Sequence, residues 1–128
     1  MRGEQPATLG IQLAVGPDND AEEVAEATLQ LRRELLDLDV EAVELERAGE
    51  PPAGTRAVEL AALGALLVTF AKSQILTAVV AAVRSWLARS QQRSIKLEIG
   101  GDVLELTAVS SSEQRRLTEE WLRRHESR

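Results

Sequence analysis

Among the residue types of this 128-residue chain that could do chemistry, the acidic ones are the most numerous. Asp18 and Asp20, with Glu22 and Glu23, could bind a cation, but the segment lacks the glycine and the further oxygen ligands of a calcium loop. Acidic side chains also favour a helix N-terminus, where the helix dipole is positive. The spacing of Asp20 and Glu23 therefore predicts a helix start, not a metal site.

The remaining candidates for catalysis also have structural explanations. His125, the single histidine, lies in an Arg-rich C-terminal segment that offers a general base no fixed partner, and it suits the last turn of a helix. Ser110–Ser112 lacks a Gly-x-Ser-x-Gly motif, and Gly100–Gly101 lacks the other glycines of a phosphate-binding loop. There is no cysteine. We therefore predict no catalytic residue, no metal and no cofactor, and keep an enzyme based on carboxylates and arginines as a third hypothesis.

Composition narrows the class of protein further. The formal net charge is −6, and residues 1–56 hold five basic and thirteen acidic residues, a net −8. The aromatic residues are Phe70, Trp86 and Trp121, too few for a base-stacking platform, and the acidic balance repels phosphate, so we predict no nucleic-acid binding. A chain of this length can bury a core of its own. We expect one domain over 1–128, flexible at 1–8 and 126–128, and cytoplasmic because no signal peptide is evident.

Two strands separated by a helix are predicted in the first half. Apolar residues recur at every second position over 9–15, which is a strand period, and Gly16–Pro17 ends that run. Apolar positions at helical spacing predict a helix over about 21–37. The Val-rich, nearly alternating stretch at 40–46 predicts a second strand. Links this short imply a right-handed crossover and a parallel pairing of the two strands.

A long apolar segment follows the Gly- and Pro-rich residues 49–54 and runs from Val58 to Leu87. It consists mostly of Ala, Leu and Val, and Lys72–Gln74 interrupts it. We therefore expect either two helices joined at that point or one long helix with polar residues at its middle. Arg84, Arg89 and Arg93 suit the C-terminal end of such a helix, because cations complement the dipole there.

The last third predicts a β-hairpin and a helix. With Gly101–Asp102 as a two-residue turn, the numbers of paired residues sum to 203, and every pair on one face is apolar. Ser110 and Glu113 have the spacing of a capping box at a helix start. The hairpin pairs are Ile99 with Leu104, Leu97 with Leu106 and Ile95 with Ala108, and the apolar edge of the helix is Leu117, Trp121 and Leu122.

The predicted fold class is α+β: a β-α-β unit, a central apolar helical block, a β-hairpin and a C-terminal helix, forming a small mixed sheet covered by helices. A helix that is apolar on all sides, as predicted over 60–71, has more apolar surface than one sheet face can cover. We therefore expect part of the block to contact a partner. The candidate contact residues are Leu63, Leu67, Phe70, Ile75, Val80, Arg84, Trp86 and Arg89.

A membrane contact is the alternative reading of this block. As a span it is too short, because residues 60–71 provide twelve uncharged positions where roughly 20 are needed. A longer span would bury Lys72 at a cost of about 2.5–3.5 kcal/mol. Trp86, Arg84 and Arg89 nevertheless resemble interfacial anchors. Peripheral contact of residues 58–89 with a bilayer therefore stays open.

The order of these parts resembles a known family. An acidic αβ beginning precedes an Ala/Leu-rich block that ends in Arg-Ser-Trp-Leu-Ala-Arg at 84–89; the hairpin sequence Ser-Ile-Lys-Leu-Glu-Ile-Gly-Gly-Asp-Val-Leu-Glu-Leu-Thr and then Ser-Ser-Glu-Gln follow. From Leu9 onward the chain is similar to the small effector-associated constant component family of bacterial, mostly actinobacterial, conflict systems. The resemblance implies a non-enzymatic accessory protein encoded beside effector domains and NTPase components.

The leading hypothesis is thus an adaptor that recruits or regulates an effector through its apolar block. Its expected partners are a protein effector or NTPase component, with self-association as a further expectation.

Overall fold

The computed structural model describes residues 7–14, 20–46, 61–90, 94–108 and 111–126. Within them the chain forms an α+β fold, with a small sheet covered by helices, as predicted. In chain order the elements are β1 (Ala7–Leu13), α1 (Ala21–Leu36), β2 (Ala42–Leu45), β3 (Ala65–Phe70), α2 (Ser73–Arg89), β4 (Ser94–Ile99), β5 (Asp102–Thr107) and α3 (Ser112–Glu126).

The strands form one sheet in the order β2-β3-β1-β4-β5, and every described pairing is antiparallel. The predicted parallel pairing of β1 with β2 is wrong, because β3 lies between them and pairs with both. The two strands do run in the same direction. Likewise, α2 connects β3 to β4, and these two strands lie on either side of β1. Two interleaved split β-α-β units of this kind define a ferredoxin-like arrangement, to which β5 and α3 are added.

The apolar block is not the one or two helices that we predicted. In its first half Ala65–Phe70 is strand β3, and in its second half Ser73–Arg89 is a helix. Residues 58–60 lie outside the described residues. The run over 65–70 shows no clear alternation because Ala65 and Leu67 are apolar as well as the core residues Leu66, Val68 and Phe70. A short apolar run of this length fits a buried strand as well as a buried helix, so periodicity could not separate them.

The first two elements confirm the predicted order with small shifts. β1 begins at Ala7, so Ala7 and Thr8 are paired residues and not part of a flexible end. Residues 1–6, 127 and 128 are outside the described parts, and Glu126 is the last residue of α3. Helix α1 begins as predicted, with Asp20 Oδ1 accepting a hydrogen bond from the Glu22 amide at 3.2 Å.

The hairpin has the predicted faces but a different register. Its paired residues sum to 201, so Ile95 faces Leu106 and Leu97 faces Leu104. The turn is Gly100–Gly101, with φ of 57° and 88°, instead of Gly101–Asp102. A two-residue turn with positive φ at both central positions favours glycine over aspartate, which explains the shift. Because the partner moves by two residues, each side chain keeps its face.

Helix α3 differs from prediction at its cap and its apolar edge. Ser111 Oγ accepts the Gln114 amide hydrogen bond at 3.1 Å, whereas the predicted cap, Ser110, is outside the described residues. Trp121 is buried, but Leu117 is 48% exposed, and Thr118 is buried in its place. The Thr118 hydroxyl donates to the Gln114 carbonyl at 2.8 Å. This bond within the helix satisfies the buried Thr118 hydroxyl, so a polar residue is buried where the pattern of apolar residues does not predict one.

The three helices α1, α2 and α3 of the described residues pack on one face of the sheet. Alternate strand residues, among them Leu9, Ile11 and Val68, join buried residues of the helices in one core cluster. Side chains from the outer helices also reach the two outer strands. Arg32 Nε of α1 donates to the Val43 carbonyl at 2.8 Å, and Gln114 Nε2 of α3 donates to the Glu105 carbonyl at 3.3 Å. On the opposite face, the described strand residues are half-buried or exposed, apart from the buried Ala65.

Candidate interaction surface

The accessible side of the sheet is the first candidate site, and we call it the open face. A row of five positions crosses it, each opposite the next in register: Glu44, Leu67, Gly10, Glu98 and Val103. Neighbouring strands are about 4.8 Å apart, so the row is about 20 Å long. The other open-face positions are Thr8, Gln12, Ala42, Ala65, Thr69, Ser94, Lys96, Glu105 and Thr107.

The open face has an uncharged centre and charged flanks. Leu67, Thr69 and Gly10 are half-buried on the two central strands. Glu44 lies on one side, while Glu98, Lys96 and Glu105 lie on the other, all exposed. An uncharged centre with a polar rim is the usual anatomy of a protein interface.

The eight candidate contact residues are divided between core and surface. Phe70, Val80 and Trp86 are 3%, 1% and 1% exposed, so they cannot contact a partner in the folded protein. They were assigned to a surface because a wholly helical block would have more apolar surface than one sheet face can cover, whereas Phe70 is a strand residue and Val80 and Trp86 lie on the buried side of α2. Leu67 lies at the centre of the open face, and Leu63 is 50% exposed in the turn before β3, its carbonyl bound by the Gln12 side chain at 2.8 Å. Leu63 and Leu67 are therefore accessible, although they were selected for a partly wrong reason.

The other candidates lie on α2, on the helical side. Ile75 and Arg84 are half-buried. Arg89 is exposed and forms a two-pronged ion pair with Glu34 of α1, at 3.0 and 3.3 Å. The hydrogen bond to Glu34 raises the pKa of Arg89 above its usual value. Arg89 therefore joins α1 to α2.

The structure removes one argument for membrane contact, the anchoring role proposed for Trp86. Trp86 is buried, so it cannot lie at a lipid headgroup surface. In the parts of the chain that the structure describes, no helix combines the length and apolarity needed to cross a bilayer.

A polar cluster that the sequence did not predict joins the hairpin to α3. Asp102 accepts hydrogen bonds from Arg124 Nε at 2.9 Å and Arg124 Nη2 at 3.2 Å, and its Oδ2 is 2.7 Å from His125 Nε2. The His125 ring packs against Trp121, with ring centroids 4.8 Å apart. The hydrogen bonds from Arg124 and then His125 lower the pKa of Asp102. The spacing of Trp121 and His125 indicates a shared helix face, but nothing in the sequence links that face to Asp102.

Chemically, this cluster holds α3 against the hairpin. Both Asp102 oxygens already accept bonds from the last turn of α3, and the Trp121 indole donates to the Asp102 carbonyl at 3.1 Å. The adjacent depression, lined by Glu120, Arg123 and Arg124, is shallow and open. Among the described residues, no group of three or more His, Cys, Asp or Glu side chains could hold a metal ion.

The contribution of Asp102 to stability is expected to depend on pH. Its pKa is lower in the folded chain than the value of about 3.9 in an unfolded one, so its stabilising effect is complete above that value and lost as the pH falls through the folded pKa. We expect Asp102→Asn to melt below wild type at neutral pH, with the difference shrinking below about pH 4. Thermal melts across this range measure it. A difference that stays constant through the acid range contradicts the prediction.

Comparison with protein families gives no further guidance. No family model matches the chain, and a search of curated proteins finds no match.

Proposed function

We propose that the chain is a non-enzymatic adaptor that recruits or regulates an effector protein of a bacterial conflict system, and that it docks through the open face. One observation supports the docking surface: among the described residues, α1, α2 and α3 occupy one side of the sheet, while the other side presents half-buried Leu67 within a charged rim. The effector and the conflict system come from the resemblance described above. The partner is the effector itself or an NTPase component encoded beside it.

This proposal moves the contact from the helical block to the sheet. The apolar side chains of α2 that face the sheet are core residues, including Leu76, Val79 and Val83 at 0% exposed. Leu67 is the part of the apolar block that faces away from the helices. The open face is also a row of side chains on strands, and such a surface suits protein contact better than a small substrate, which binds in a concave site.

The test is co-expression with the products of the neighbouring genes. We expect one effector or NTPase component to co-purify with the chain as a complex of defined mass, measured by size exclusion with light scattering. Leu67→Arg should weaken that complex at least about tenfold in a calorimetric titration, because charge at the centre of an interface removes a well-packed contact.

Leu117→Arg is the matched control, since Leu117 is 48% exposed on α3, on the helical side of the molecule. It should bind as wild type does. Equal loss in both variants, or loss in Leu117→Arg alone, would contradict docking through the open face. Failure of every neighbouring gene product to bind would contradict the adaptor function itself.

A further inference from the structure

Gly10 stands at the centre of the open face, where the fold gives no reason for a glycine. It lies inside the central strand, paired without interruption to Leu67 on one side and Glu98 on the other. Its φ is not among the positive ones. A Cβ built on Gly10 would have the Glu98 carbonyl oxygen, at 3.8 Å, as its only described neighbour within 4 Å. An ordinary side chain therefore fits.

A glycine inside a strand weakens it and often marks a place where another molecule approaches closely. Here the missing side chain leaves a depression between Leu67 and Glu98, which we call the Gly10 notch. One wall is apolar, the other ends in an exposed carboxylate, and the floor is backbone. An apolar wall beside a carboxylate matches a side chain with a hydrocarbon stem and a cationic head.

We infer that the Gly10 notch receives an arginine or lysine side chain from a basic segment of the partner protein. The stem packs on Leu67 and on the backbone of Gly10, and the head lies against the Glu98 carboxylate. This inference rests on the proposed function, because it names the chemistry of the partner at the same surface.

The charges around the notch select a cationic partner. Glu44 and Glu98 flank it in the same row, and Glu105 lies in the next row, directly opposite Lys96. Neither Glu44 nor Glu98 takes part in the ion pairs that the described residues form with one another. Three carboxylates against one ammonium repel a second copy of the same face, anionic lipid and nucleic acid, and attract a basic polypeptide.

The inference can be tested without the natural partner by titrating the labelled protein with a short peptide of alternating valine and arginine. We expect NMR amide shifts at β1, β3 and β4, and binding that weakens from about 50 to about 500 mM salt because exposed charges are screened. A peptide of alternating valine and glutamate should not bind. Glu98→Gln should reduce affinity for the arginine peptide several-fold.

Gly10→Val is the decisive variant, because it fills the notch with a good strand former. It should lose affinity at least about tenfold without a lower melting temperature. Ala81→Leu adds the same isopropyl group at an exposed position on α2 and should bind as wild type. The inference is overturned if Gly10→Val binds unchanged, if it melts well below wild type, if the glutamate peptide binds equally, or if the shifts map to α1.

The two proposals fail in different ways. If a neighbouring gene product binds Gly10→Val as tightly as it binds wild type but does not bind Leu67→Arg, the inference about the notch is wrong and the proposed adaptor function stands. If the arginine peptide binds in the notch and no neighbouring gene product binds at all, the adaptor function is wrong and the notch stands.

Discussion

Leu106→Asp is expected to unfold the protein. Leu106 is 1% exposed and lies opposite Ile95 on the face that the helices cover. An aspartate there would bury a carboxylate without a partner, which costs several kcal/mol. Small domains have a total stability of about 5–15 kcal/mol, so most of it would be lost. Far-ultraviolet circular dichroism should show loss of the folded signal near room temperature, or a thermal transition lowered by tens of degrees.

The neighbouring residue provides the control. Thr107 is exposed, and its hydroxyl donates to Gln114 Oε1 of α3 at 3.3 Å. Thr107→Asp keeps a polar side chain at an exposed position and should destabilise the fold far less than Leu106→Asp, by about 1 kcal/mol or less. Equal tolerance at both positions would mean that the faces of β5 are assigned wrongly.

Trp121→Ala should cost about 3–5 kcal/mol of unfolding free energy, the range for truncating a buried aromatic residue. Trp121 is 0% exposed, and its indole nitrogen donates to the Asp102 carbonyl. The variant therefore leaves a cavity beneath α3 and removes a bond to the hairpin. Urea denaturation followed by circular dichroism measures the difference.

Two further substitutions separate the causes. Trp121→Phe keeps most of the apolar volume and loses the donor, so we expect a smaller cost. Leu117→Ala, at an exposed position on the same helix, should stay within about 0.5 kcal/mol of wild type. A cost below 1 kcal/mol for Trp121→Ala would show that α3 contributes little to the core.

The parts of the fold that follow local rules could be predicted from the sequence. The alternation in β1, β4 and β5 places their buried and exposed residues correctly, because a strand with one covered face has a period of two. Asp20 marks the start of α1 for a reason that is equally local, its bond to a free backbone amide. The hairpin register needed the turn conformation as well, and the choice between the Gly-Gly and Gly-Asp turns shifted it by two residues.

The topology could not be predicted in the same way, because it depends on β3. That strand is short and, apart from Thr69, apolar, so its sequence carries no clear period. If Ala65–Phe70 is assigned to a helix, no strand is available to separate β1 from β2. The rules for connections between strands then predict that β1 and β2 pair directly and in parallel. One misassigned element therefore produced both the wrong pairing and the apparent excess of apolar surface.

The candidate site was predicted in part. Leu67 was selected because it lies in the apolar block, and it lies at the centre of the open face. Gly10 and Glu98 were not selected, since neither has a motif and their proximity arises from pairing between β1 and β4. The Asp102 cluster was missed for the same reason, as it joins residues 22 and 23 positions apart.

The bonds from Arg32 and Gln114 to the two outer strands have a consequence for how the molecule can associate. The outermost strand of a sheet is a template on which another extended chain can add, which leads to runaway edge-to-edge growth. Here Val43 on one border and Glu105 on the other already have their carbonyl groups bonded to side chains of α1 and α3. Each border thereby has one outward acceptor fewer for an added strand, which weakens it as a template for growth along the hydrogen-bonding direction. A partner that docks on the open face needs none of these border groups, so it can bind once without extending the sheet.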